Sequence, residues 1–117
     1  MNKKKILYAE DDWANRKLLE TKLEQAGFEC DTADNGEMAL QMYSENEYDL
    51  VVLDQYMPHL DGEYVAIEIR KSSSDIPLIA ITSDDSLRTH LIETGFNEVI
   101  IKPLRGHFAV DLIKSYL

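Results

Sequence analysis

Short apolar runs alternate along this chain with longer segments in which apolar residues recur every three or four positions. Ile6 to Ala9, Phe28 to Ala33, Leu50 to Leu53, Ile76 to Ile81 and Val99 to Ile101 are the strand-sized runs. Each is bounded by polar or turn residues, which predicts five short buried strands. Leu50-Val51-Val52-Leu53 is the most apolar, as a central strand covered on both faces should be.

The intervening segments read as helices. Leu19, Leu23 and Ala26 fall at helical intervals before Gly27, a natural helix stop. Ala39, Leu40 and Tyr43 share one stripe after the turn Asp34-Asn35-Gly36, and that helix should end near Glu45. A third helix is expected from about Gly62 to Lys71, with Ser72 to Asp75 as an exposed connection. A short fourth runs from Leu87 to Thr94 and stops at Gly95. Phe108, Leu112, Ile113 and Tyr116 predict a last helix over Gly106 to Leu117 with one face on the sheet. Strict strand–helix alternation predicts an α/β fold, a five-stranded parallel sheet with helices on both faces.

That fold gives the polar residues at strand ends a meaning. In an open parallel sheet every strand's carboxyl end lies on one edge, where ligands bind. Glu10-Asp11-Asp12, Asp54, Thr82 and Lys102 all follow apolar runs, so widely separated loops bring their charges together. Carboxylates gathered in a partly desolvated cleft repel one another, and a divalent cation and a lysine are their natural neutralisers. This is the chemistry of a phosphoryl acceptor.

Composition narrows the class. The 117 residues suit one domain spanning 1–117, with 44% hydrophobic and 29% charged residues. No apolar run approaches the roughly 18 residues a membrane span requires, so a cytoplasmic location without membrane contact is expected. The formal net charge of −10 argues against direct nucleic-acid binding, since the only basic run is Lys3 to Lys5. Output is therefore expected to go through another protein or a further domain. The single cysteine, Cys30, is expected to be a small apolar strand residue.

Several motifs carry a family resemblance. Ile6-Leu7-Tyr8-Ala9-Glu10-Asp11-Asp12 with Arg16, Leu53-Asp54 through Met57-Pro58 to Asp61-Gly62, Ile81-Thr82-Ser83, and Gly95 through Lys102-Pro103 span nearly the whole chain. The sequence resembles the receiver domain of two-component response regulators. The resemblance implies a doubly wound, flavodoxin-like (βα)5 fold with strand order 2-1-3-4-5. It also implies a phosphorelay switch that takes phosphate from a sensor histidine kinase or phosphotransfer protein.

Carried over by position, Asp54 is the phosphoacceptor and forms an aspartyl phosphate, Lys102 pairs with it, and Thr82 donates its hydroxyl to the arriving phosphoryl group. Asp11 and Asp54 would hold Mg2+ directly, Glu10 through water, and Tyr56 through its backbone carbonyl. Asp11-Asp12 is the alternative metal pair. The preference for Glu10-Asp11 rests on the strand running directly into it and on Arg16 lying five residues past Asp11. The chemistry would be stoichiometric on the protein itself, with slow hydrolysis, and not that of a turnover enzyme.

The chain departs from the family pattern in places. Val99 stands where an aromatic ring often reports the switch, so the signal should leave through backbone shifts of Ser83 to Arg88, or the two states differ little. The Thr82-to-Lys102 interval is shorter than usual, which points to a trimmed loop or helix start. Tyr56 and Asp84 flank the expected path of the hydrolytic water, and Tyr56 is expected to shield the phosphate. Trp13 fits either a partner-docking surface over the site or simple packing at a helix start. His59, His90 and His107 have no partner at nucleophile or metal spacing.

Three other functions compete. An Mg2+-dependent phosphatase would need an acid/base carboxylate two residues past Asp54, where Tyr56 stands. A degenerate binding scaffold is disfavoured by the intact set Glu10, Asp11, Asp54, Thr82 and Lys102. A flavodoxin would need a Ser/Thr/Gly-rich phosphate cradle after the first strand. A single-domain messenger or relay intermediate is the favoured organisation, with a longer parent protein the alternative.

Overall fold

Five strands, β1 (Lys5–Ala9), β2 (Glu29–Ala33), β3 (Leu50–Asp54), β4 (Leu78–Thr82) and β5 (Glu98–Ile101), form one sheet in the computed structural model, which describes residues 3–117. All pairings are parallel and the order is β2-β1-β3-β4-β5. The helices are α1 (Trp13–Gln25), α2 (Gly36–Glu45), α3 (Gly62–Ser72), α4 (Arg88–Thr94) and α5 (Phe108–Ser115). The doubly wound α/β architecture expected from the sequence is therefore observed.

Alternate residues of each strand enter opposite layers of core, because successive side chains leave a strand on opposite faces. Leu7, Ala9, Val51 and Leu53 pack with Val65 and Ile69 of α3 and Leu91 of α4. Ile6, Tyr8, Val52 and Ile79 pack with Leu19 and Leu23 of α1 and Ile113 of α5. Each of the valine, leucine and isoleucine side chains among them, fully withdrawn from water, stabilises the fold by about 1.5 to 3 kcal/mol before its ordering cost. β3 is buried along its whole length, as its unbroken apolar run predicts.

Helix starts are fixed by short polar side chains. Asp12, Asn35 and Asp61 each accept a hydrogen bond from the backbone N–H three residues on, at 2.8, 2.8 and 2.9 Å. Each satisfies an N–H that the first helical turn leaves without a partner. Gly27 and Gly95 end α1 and α4 with φ of +97° and +133°, conformations that L side chains rarely adopt.

Some boundaries differ from the periodicity. β4 begins at Leu78, not Ile76, because Pro77 has no N–H to give and contributes only its carbonyl, which accepts from Val51. The last helix starts at Phe108, since Gly106 is turned to φ +59°. Its inward stripe is Ala109, Val110 and Ile113, while Phe108, expected on that face, is 66% exposed. The fourth helical segment opens as a 3-10 turn, Asp85–Leu87, before seven residues of α-helix.

Candidate phosphoacceptor site

Register places the site. Ala9 pairs with Leu53, Asp54 with Ile81 and Thr82 with Ile101, so Glu10, Asp54, Thr82 and Lys102 emerge together at one sheet edge. Glu10, Asp54 and Thr82 are buried, whereas Asp11 lies exposed at the lip. Carboxylate oxygens of Glu10, Asp11 and Asp54 lie within 4.8 Å of one another. Lys102 Nζ bridges the buried pair, 2.8 Å from Asp54 Oδ2 and 3.1 Å from Glu10 Oε1.

The two oxygens of Asp54 are thus distinguished. Oδ2 accepts from Lys102, and Oδ1 accepts from the amide of Tyr56 at 3.2 Å. The loop beyond is tied back onto its own strand: Gly62 N–H donates to the Gln55 carbonyl and Glu63 N–H to Gln55 Oε1. Arg16 Nη1 donates to the Glu10 carbonyl at 2.8 Å, which anchors the β1–α1 loop from its own helix. The Lys102-Pro103 peptide, which carries the lysine toward α5, is cis.

Electrostatics follow from crowding. Burial, then the hydrogen bond and charge of Asp54, push the Glu10 carboxyl up to about 7, against the opposing pull of the Asp12 amide and Lys102. For Lys102 burial acts downward, but the hydrogen bonds and charges of Asp54 and Glu10 outweigh it and raise its pKa. Three carboxylates meet one ammonium, so the cluster carries excess negative charge that a hard cation can neutralise through oxygen donors. The donor set fits a divalent cation such as Mg2+.

Most sequence candidates converge here. Thr82 Oγ1 accepts from the Asp84 amide at 3.1 Å, so its hydroxyl is engaged by the β4–α4 loop and not by Asp54. Asp12 caps α1 and stands outside the cluster formed by Glu10, Asp11 and Asp54. An Asp directly before a helical run is itself a capping signal. Tyr56 is 56% exposed beside the site, and Trp13 is 67% exposed at the start of α1. His90 Nε2 lies 2.7 Å from Glu63 Oε1 on the surface, outside the cluster. Tyr8 was overlooked: its buried hydroxyl reaches Glu10 Oε1 at 3.4 Å, and burial with the Glu10 and Asp54 charges drives its pKa far upward.

Residues 6–114 match the model of the response regulator receiver domain. The chain belongs to that family. It is 44% identical over its whole length to a probable transcriptional regulator, ycf27, of Cyanophora paradoxa, covering 49% of that protein. It is 30% identical over 97% of its length to hybrid signal transduction histidine kinase F of Dictyostelium discoideum, covering 11% of it. The chain spans about half the length of the first-ranked curated relatives it matches. The crystal structure of response regulator protein TrrA from Thermotoga maritima, in complex with Mg2+-BeF, superposes with a TM-score of 0.91 at 37% identity over 97% of this chain and 99% of that one. This chain is accordingly a phosphoacceptor module of two-component signalling. No helix among the described residues is long and apolar enough to cross a membrane.

Proposed function

We propose that Asp54 is the residue phosphorylated and that Glu10, Asp11, Asp54 and the Tyr56 carbonyl hold Mg2+ for the transfer. The observation that carries this reading is Lys102 Nζ bridging Asp54 Oδ2 and Glu10 Oε1 beside Asp11, which orients the Asp54 carboxylate and places a positive charge beside it. An oxygen of Asp54 attacks phosphorus, the bond to the donor imidazole breaks, and the histidine leaves with its electron pair. Lys102 follows the charge from the Asp54 carboxylate to a phosphoryl oxygen. Mg2+, when bound, supplies the charge neutralisation that lets a dianionic phosphoryl group approach three carboxylates. Thr82 Oγ1, which accepts from the Asp84 amide, donates its O–H to a phosphoryl oxygen, and the shift of Thr82 toward that group moves the β4–α4 loop.

The donor is a phosphohistidine on a sensor kinase or phosphotransfer protein. A hollow of about 390 Å³ beside Lys102, lined by Leu18, Pro103, Leu104 and Ala109, supports docking between α1 and the loop before α5. Leu18, half exposed on that rim, gives such a partner an apolar contact. The reaction is stoichiometric, with no turnover of an external substrate, and takes place in the cytoplasm. Output passes to a protein or a linked domain and not directly to nucleic acid, as the net charge of −10 favours.

Intact-mass analysis after incubation with acetyl phosphate and Mg2+ tests the reading. A single phosphoryl adduct, abolished by Asp54→Ala and by EDTA, is the expected result. Absence of any adduct would favour a binding scaffold instead.

A further inference from the structure

Tyr8 lies wholly inside the protein, on the α1 and α5 side of the sheet, yet its ring ends in a polar group. A buried hydroxyl needs a partner. Tyr8 stands two residues before Glu10, so both side chains leave the chain toward the same face. Its hydroxyl points along the strand to Glu10 Oε1 at 3.4 Å, the one hydrogen bond it makes among the described residues.

Glu10 is held by donors from three directions. Oε1 receives Tyr8 and, at 3.1 Å, Lys102; Oε2 receives the Asp12 amide at 3.2 Å. Two of these donors are fixed, Tyr8 by packing and the Asp12 amide by its place at the start of α1. The third is the Lys102 ammonium, which also serves Asp54. The Tyr8 contact is longer than a relaxed O–H···O bond of about 2.7 to 2.8 Å, as expected where Lys102 occupies the same oxygen. Once Lys102 turns to a phosphoryl group, that oxygen is left to Tyr8.

We infer that Tyr8 is a positioning residue for the metal site: its hydroxyl holds Glu10 from the core side, keeping the carboxylate directed at Asp11 and Asp54 when Lys102 departs. This rests on the assignment of Glu10, Asp11 and Asp54 as the Mg2+ site. A donor behind a metal-binding carboxylate fixes its orientation and raises affinity without touching the metal.

Tyr8→Phe removes the hydroxyl and keeps the buried ring. Calorimetric titration with Mg2+ should give a Kd raised by about 10-fold, the lower end for losing such a partner. Phosphorylation by acetyl phosphate should need correspondingly more Mg2+ for half-maximal rate, with the rate at saturating Mg2+ preserved. In a Glu10→Ala background the same substitution should leave the Mg2+ Kd unchanged, because no carboxylate remains to be held. An unaltered Kd in Tyr8→Phe alone, or an equal loss in both backgrounds, would overturn the inference. A parent protein that takes up no Mg2+ would instead remove the metal assignment, and this inference with it.

Discussion

Gly62 Cα packs directly against the Asp54 peptide, so that a Cβ at position 62 would stand 2.6 Å from the Asp54 carbonyl oxygen and 3.1 Å from Gln55 Cα. Backbone, unlike a flexible side chain, cannot yield to such a contact. The first turn of α3 therefore sits against the strand end that presents Asp54, with Gly62 N–H on the Gln55 carbonyl. Gly62→Ala should destabilise the fold by about 1 to 3 kcal/mol, as overpacking does, and slow phosphorylation by displacing Asp54. Urea unfolding and the adduct rate by mass spectrometry measure the two effects; unchanged stability would show that the loop absorbs the methyl group.

Asp11 and Asp12 are adjacent acids with different work to do. Asp12 Oδ2 caps α1 through the Asn15 amide at 2.8 Å, whereas Asp11 contributes to the carboxylate cluster. Asp12→Ala should lower stability by about 0.5 to 2 kcal/mol with little change in Mg2+ affinity. Asp11→Ala should do the reverse, weakening Mg2+ binding at least 10-fold with the apo fold intact. Denaturation and Mg2+ titration of both variants decide it, and matching profiles would contradict the division of labour.

The architecture and most of the site were legible because both follow from strand ends. Ile6 to Ala9 and Leu50 to Leu53 could be read as buried strands, and a parallel sheet then leaves Glu10, Asp54, Thr82 and Lys102 no choice of edge. Contacts that depend on side-chain reach were not legible. The Tyr8 hydroxyl looked like part of an apolar run, and His90 could not be matched to Glu63, 27 positions away. Phe108 was misplaced because its spacing to Leu112 is helical, while the true inward stripe, Ala109, Val110 and Ile113, is set by where Gly106 lets the helix begin.

Gathering three carboxylates around one ammonium should work against stability in this chain. Asp54 shares its pocket with Glu10 and Asp11, and Lys102 is the one ammonium ion-paired with the two buried carboxylates among the described residues. Asp54→Asn keeps the side-chain shape and removes one of three mutually repelling charges. In EDTA at pH 8 it should stabilise the protein by about 1 to 2 kcal/mol, the usual sign when a functional site is relieved of strain. A guanidinium midpoint equal to or below that of the parent would show that the Lys102 pairing outweighs the repulsion.

Glu10 should make the apo protein and its metal site respond to pH in opposite directions. Its folded pKa of about 7 exceeds the ordinary 4.5, so between these values the folded state keeps a proton that the unfolded chain gives up. The associated stability is present below about pH 4.5 and is lost as pH rises through about 7, at roughly 1.4 kcal/mol for each unit of displacement. In EDTA the thermal midpoint should therefore fall from pH 5.5 to pH 8. Bound Mg2+ must displace the same proton, so its affinity should climb over that interval and level off above it. Scanning calorimetry with and without millimolar Mg2+, at half-unit steps, measures both slopes. In Glu10→Gln both should flatten; a parent protein with the same flat profile would show that the Glu10 proton does not link folding to metal binding.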